Sequence, residues 1–179
     1  MTTLRIGIIG CGEVVQVIHL PSLHQLGDLF TVTALCDMRG DVLQAVGDQW
    51  NVAGRYQHDL DLIAQAEIDA VLIASPDVHH APAVLAAIAA GKHVLVEKPM
   101  CISLAEADAI IAAQEQAGVA VQVGYMRRYA PAFLEACRLL PEIGPIRLAR
   151  AHAVIGGNPL FTQDTSRVIR GGALPAVAL

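Results

Sequence analysis

The sequence predicts an α/β protein, a doubly wound parallel sheet followed by only the start of a second, α+β domain. Three observations predict it. The 179 residues are 54% hydrophobic but only 4% aromatic and 16% charged, the aliphatic balance of a sheet buried on both faces. Strand-type runs and helical stretches alternate over about the first 120 residues, and parallel neighbours need such crossovers. The first strand runs directly into a glycine-rich turn that opens a helix, "GCGEVV" at residues 10–15.

The elements follow in order. Leu4 to Ile9 is the first strand, and the helix after the turn is expected to split at Pro21, because proline is tolerated in a first turn but not in an interior. "FTVTALCD" (30–37) is the second strand; Val42, Leu43, Val46 and Trp50 mark the helix that follows. "RYQ" (55–57) is a short strand, and Asp59 is placed to cap a brief helix through Ala64. "DAVLIAS" (69–75) is a strong strand, "HHAPAVLAAIAAG" a helix closed by Gly91, and "KHVLVE" the next strand. Ser103 and Glu106 match a capping box for a helix ending at Gly118, and "VAVQVG" (119–124) is the last strand of this series. A helix broken by Pro141 and a new strand, "PIRLARAHAVIG" (145–156), follow. The predicted division is 1–124 for the sheet domain and 125–179 for a connecting helix and the beginning of a second domain. The open apolar edge of that new strand predicts self-association, a homo-oligomer.

Composition excludes several roles. A net charge of −5, with ten arginines and only two lysines, argues against nucleic acid, which needs clustered cations. Cys11, Cys36, Cys101 and Cys137 lie far apart with no CxxC pair, so reduced thiols are expected rather than a disulfide framework or a zinc site. The histidines lack partners at ligand spacing, and no metal is predicted. His19 and His24 read as helix-surface or packing residues, and His79-His80 as the first turn of a helix. No basic segment precedes a long apolar one at the start and no apolar run reaches about 18 residues, so a cytoplasmic protein without a membrane span is expected.

Gly10 and Gly12 stand where a dinucleotide fingerprint needs a tight turn and a close approach of backbone to pyrophosphate at a helix N-terminus. Val15 occupies the third fingerprint position, normally Gly or Ala, and Glu13 is expected to point to solvent. Asp37 ends the second strand 25 residues after Gly12, near the spacing of a ribose-binding carboxylate. An acid there favours NAD over NADP, although Arg39 is placed to take a 2′-phosphate. The same Asp37 is also placed to cap the helix beginning near Gly40.

At "HVLVEKPM" (93–100) two opposite charges, Glu97 and Lys98, meet at the end of a buried strand. One reading is a surface ion pair of little consequence; the other is part of a ligand crevice, since ligands of open parallel sheets bind outside the carboxyl ends of strands. "GKHVLVEKPM", together with "GIIGCGEVV", "SPDVHH" and "VGYMRRYAPAF", resembles the Gfo/Idh/MocA oxidoreductases, the group of glucose-fructose oxidoreductase and inositol 2-dehydrogenase. The resemblance runs over essentially the whole chain and is most specific at Glu-Lys-Pro. It implies a Rossmann domain binding NAD or NADP, and hydride transfer with a sugar, polyol or related hydroxy compound. It implies that Lys98 contacts substrate and nicotinamide, that Glu97 lies beside the nicotinamide ribose, and that Pro99 shapes the turn. Pro76 and His80 match a further family loop, with Asp77 where Asn is common, and Met126 and Arg127 match a segment that closes over nicotinamide and substrate.

The candidate cofactor contacts are therefore Gly10, Cys11, Gly12, Glu13 and Val14; Asp37, Met38 and Arg39; Ser75, Pro76 and His80; Glu97 and Lys98; and Met126 and Arg127. Lys98 is the candidate catalytic residue, because oxidising a secondary alcohol requires a group beside the hydroxyl to take or stabilise its proton. The family's DxxxH acid-base pair has no match after Gly156, so the resemblance implies a truncated oxidoreductase that binds NAD and turns over poorly or not at all. The alternatives are a non-catalytic NAD-binding or redox-sensing module, which would keep Gly10, Gly12 and Asp37 but show no activity dependent on Lys98, and a nucleoside-cofactor methyltransferase, whose chemistry does not call for the Glu-Lys-Pro segment.

Overall fold

The computed structural model describes residues 3–65 and 67–150. These fall into two compact units, divided along the chain after Val123. The first is a six-stranded sheet of order β3-β2-β1-β4-β5-β6, with β1 Leu4–Ile9, β2 Phe30–Cys36, β3 Gly54–Tyr56, β4 Ala70–Ile73, β5 His93–Val96 and β6 Val121–Val123. Every pairing is parallel. The chain winds outward from β1 to β3, returns to β4 beside β1, and winds outward again, so the topology reverses between β1 and β4.

Side chains alternate along each strand and so fill two separate cores. Ile8, Leu35 and Leu72 pack on one face with Val15, Leu20, Val42, Leu43 and Val46. Ile9, Ala34, Val71 and Ile73 pack on the other with Leu62, Ile63, Val84, Ile88 and Ile110. The first face is therefore covered by α1 (Leu20–Gln25) with the turn before it and by α2 (Gly40–Trp50). The second is covered by α3 (Asp59–Ile63), α4 (His80–Ala89) and α5 (Leu104–Ala117). This is the doubly wound arrangement expected from the sequence.

Helix ends follow local chemistry. Ser103 and Glu106 form the reciprocal capping box, with Glu106 N–H donating to Ser103 Oγ at 3.2 Å and Ser103 N–H to Glu106 Oε2 at 3.1 Å, and Gly118 closes α5 with φ +68°. Two expectations fail. Pro21 does not split the first helix: residues 13–25 are one helical run containing a π-turn, Val15–His19, with Leu20 N–H bonded to Val15 O. Pro21 then sits in the first turn of α1, where its missing N–H leaves no intrahelical bond unmade. The cap of α3 is His58, with Asp59 as the first helical residue.

In the second unit, a 3₁₀ turn, Met126–Tyr129, leads into α6, Pro131–Leu139, and a further turn, Leu140–Ile143, holds Pro141 in its first turn. Arg138 pairs with Glu135 and Glu142 one turn away on either side. Residues 145–150 carry no strand, contrary to the strand read there; the rest of that stretch lies outside the described residues.

Candidate active site

The main chain continues its lateral bonding one step past the strand ends. Asp37 N–H donates to Tyr56 O (3.1 Å), Gly10 N–H to Cys36 O (2.8 Å), Ala74 N–H to Ile9 O (2.8 Å) and Glu97 N–H to Ile73 O (2.8 Å). Asp37, Gly10, Ala74 and Glu97 are thereby fixed in a row along the carboxyl edge, spanning the point where the topology reverses, which is where open α/β sheets bind ligands.

At the centre of the row Gly10 adopts φ +92°, and a Cβ there would lie 2.6 Å from Ala74 O. Only glycine allows this turn and this approach of β1 to β4. The helical run begins just after Gly12, and its first N–H groups have no acceptor within the helix, which suits a diphosphate. Cys11, expected among the cofactor contacts, serves the loop instead: its side chain is wholly buried, its Sγ donates to Cys36 O at 3.8 Å, and its N–H donates to Asp37 Oδ2 at 2.8 Å. Burial pushes its thiol pKa up and that of Cys36 up to about 12, so both remain protonated thiols. Val14 turns its side chain to the core. Glu13 is partly buried, not fully in solvent. Val15, where the fingerprint carries a small residue, is completely buried at the start of the π-turn.

Asp37 is not the cap of α2, whose N-cap is Arg39; its carboxylate bonds main chain on both sides. Oδ2 accepts from the glycine loop, and Oδ1 accepts from Arg39 N–H at 2.9 Å just before α2. A carboxylate offers about four lone-pair sites, so acceptor capacity for ribose hydroxyls remains. Arg39 forms an exposed two-bonded pair with Asp41, at 2.7 and 3.3 Å, and Met38 beside it is 81% exposed.

Two loops form the far end of the row. Ser75, after β4, has a buried hydroxyl with no hydrogen-bond partner, and Pro76 leads into the 3₁₀ turn Asp77–His79. His80, expected to contact cofactor, is 1% exposed, and its ring nitrogens lie 2.6 Å from Pro99 O and 2.7 Å from Ser75 O. Both nitrogens face main-chain carbonyls, so the ring ties the two loops together and turns no nitrogen toward a ligand. The Lys98–Pro99 peptide is cis.

Glu97 and Lys98 do not form the surface ion pair that the sequence left open. Glu97 Oε1 lies 2.9 Å from His19 Nε2, and Oε2 accepts from the Lys98 main-chain N–H at 3.1 Å. Lys98 is exposed, and its ammonium has no hydrogen bond or ion pair among the described residues. His19 and Gln16, which donates from Nε2 to Cys11 O at 2.7 Å, are the site residues that sequence reasoning missed. The signal available was their position one and two turns into the helix behind the glycine loop. Met126 and Arg127 lie on the turn of the second unit, exposed to solvent.

These groups fit a dinucleotide. A buried hydroxyl without a partner, an unpaired cation and a glycine turn that excludes any Cβ stand along one edge, with an acid at one end. A cleft of about 280 Å³ elsewhere, lined by Leu20, Leu23, Phe30, Val32, Trp50 and Val52 among others, contains no carboxylate, lysine or arginine. Among the described residues no three His, Cys, Asp or Glu are grouped to hold a metal ion, and no helix is long and apolar enough to cross a membrane.

Known proteins match this chain. Inositol 2-dehydrogenase of Paracoccus denitrificans is 37% identical over 172 residues, which are 91% of this chain and 51% of that protein. Inositol 2-dehydrogenase 2 of Saccharopolyspora erythraea is 37% identical over 175 residues, 95% of this chain and 51% of that protein. The chain thus spans about half the length of the curated relatives it matches. Scyllo-inositol dehydrogenase from Lactobacillus casei, solved with NAD(H) and scyllo-inositol, superposes with a TM-score of 0.74 at 27% identity, over 79% of this chain and 42% of that one. The WlbA dehydrogenase from Bordetella pertussis, solved with NADH and UDP-GlcNAcA, gives 0.74 at 26% over 79% and 42%. The model of the oxidoreductase family with an NAD-binding Rossmann fold matches residues 4–125, and the chain belongs to that family, the Gfo/Idh/MocA oxidoreductases.

Proposed function

We propose that this chain carries the NAD site and the proton-handling lysine of a dehydrogenase that moves a hydride between nicotinamide and a secondary alcohol carbon of a cyclic polyol or sugar. The observation that carries this reading is the Lys98 ammonium, unpaired and exposed beside the buried unpartnered Ser75 hydroxyl loop, at the edge where Gly10 admits a close-lying ligand. Relatives named inositol 2-dehydrogenase and a neighbour holding scyllo-inositol support the substrate class.

Each residue has a role in this reading. Asp37 accepts the adenosine ribose hydroxyls and disfavours a 2′-phosphate by charge. The backbone around Gly10 and Gly12 receives the diphosphate. Ser75 Oγ offers a hydrogen bond toward the other half of the cofactor. Bound NAD⁺ supplies the hydride acceptor. Acting as the free amine, Lys98 Nζ would take the hydroxyl proton as the carbon gives up its hydride, so that alcohol becomes carbonyl and Nζ becomes ammonium. Cytoplasmic location and self-association belong to the same reading.

Calorimetric titration with NAD⁺, NADH and NADP⁺, on the chain and on Asp37→Ala, tests it. Binding that prefers NAD(H) and weakens in the variant supports the reading. Absence of binding to all three refutes it. A non-catalytic NAD-binding module is separated by Lys98→Met, which in that case leaves every activity of the chain unchanged.

A further inference from the structure

The first helix touches both ends of the edge. Gln16, 6% exposed, holds the glycine loop through Cys11 O. Three residues on, His19 reaches across 78 residues of sequence to Glu97 Oε1, and both side chains of that pair are more than four-fifths buried. The run between them is the π-turn, whose extra residue re-aims the side chains that follow; such turns are frequent at functional sites.

The consequence falls on Lys98. A free Glu97 carboxylate one residue away is the natural partner for its ammonium, yet one carboxylate oxygen faces His19 and the other accepts the Lys98 main-chain N–H. Resting on the NAD reading above, we infer that His19 is a positioning residue: by holding Glu97 back against the first helix, it keeps the Lys98 ammonium unpaired at the nicotinamide end of the site. Along the edge, Asp37 marks the adenosine end and Glu97 lies on the opposite side of Gly10, so His19 influences only the nicotinamide half. A structural prop for the whole sheet has no such polarity.

The test compares NADH with ADP-ribose, which lacks the nicotinamide, by calorimetry on the unaltered chain, His19→Ala and His19→Gln. His19→Ala is expected to weaken NADH by roughly three- to tenfold and ADP-ribose by less than about twofold, and His19→Gln, which retains a donor, to recover part of the loss. Reductive methylation with ¹³C-formaldehyde adds a direct readout, because Lys92 and Lys98 are the only lysines. The Lys98 methyl signal moves in His19→Ala while that of Lys92, whose Nζ donates to Gln65 O and Ile68 O, stays in place. Equal loss of NADH and ADP-ribose, or an unmoved Lys98 signal, overturns the inference. If the unaltered chain binds neither nucleotide, the NAD reading fails by itself, and the Lys98 signal still decides whether His19 acts on Lys98.

Discussion

At the amino edge of the sheet Arg5 clips Asp69 with three bonds, from its main-chain N–H (2.8 Å), Nε (3.0 Å) and Nη2 (2.7 Å). Lys92 Nζ donates to Gln65 O and Ile68 O, and Ala120 N–H donates to His93 Nδ1. At the carboxyl edge of the same strands, the Lys98 ammonium and the Ser75 hydroxyl have no partner among the described residues. Two other buried polar atoms lack partners, Thr33 Oγ1 and Trp50 Nε1, but neither lies at a strand end of this edge. Buried polar groups are normally satisfied because leaving one unmet is costly. One edge is therefore built for stability, and the other retains bonding capacity for a ligand to use.

The largest effect expected from breaking this contrast is at Asp37, which bonds the glycine loop and Arg39 N–H and, in the function proposed above, the ribose as well. Asp37→Ala removes the acceptor for Cys11 and Arg39 N–H and the ribose partner together. We expect NADH affinity to fall by about 10- to 100-fold, with the preference over NADPH narrowed, as read by calorimetry. Unchanged affinity would place the ribose elsewhere.

The amino edge gives the next effect, on stability instead of affinity. The Arg5 guanidinium and main-chain N–H hold the Asp69 carboxyl well below the usual carboxylate range. A carboxylate with a depressed folded-state pKa stabilises the fold above its unfolded value, and that contribution is lost as pH falls toward the folded value. Asp69→Asn is expected to lower the unfolding midpoint by about 3 to 6 °C at pH 7. The difference from the unaltered chain should persist down to about pH 4 and narrow only below it. Thermal unfolding followed by circular dichroism across pH 2.5–7 reads both features, and a difference that is constant down to pH 2.5 would assign the loss to shape and not to charge. NADH affinity should be unaffected.

How far each edge was legible in the sequence follows from the range of the interactions. The strands were readable because parallel strands buried on both faces are continuous aliphatic runs, as in "TALC" and "AVLI". Gly10, Ser103, Glu106 and Gly118 act on neighbours within a few residues, and their turn and caps were readable for that reason. His19 was not: nothing local distinguishes it from a helix-surface histidine, and its partner lies 78 residues away. Pro21 misled because the rule that proline breaks a helix assumes i→i+4 bonding, and the π-turn before it removes that requirement. For Cys11 and His80, spacing located the loops without saying that their polar atoms are engaged by other groups of the fold. Adjacency left an ion pair between Glu97 and Lys98 open, and only the tertiary bond to His19 shows that this carboxylate is engaged elsewhere.

Lys98→Ala gives the smallest expected change in stability and the sharpest form of the comparison. Its side chain is exposed and its ammonium is bonded to nothing among the described residues, so removing it deletes no interaction seen there, and the change should stay within about 0.5 kcal/mol. Equilibrium urea unfolding of Lys98→Ala beside Asp69→Asn reads the difference in one experiment. Equal losses in the two variants would mean that Lys98 is held by the fold as firmly as Asp69 is, and the distinction between a paired edge and an open one would then have no energetic content.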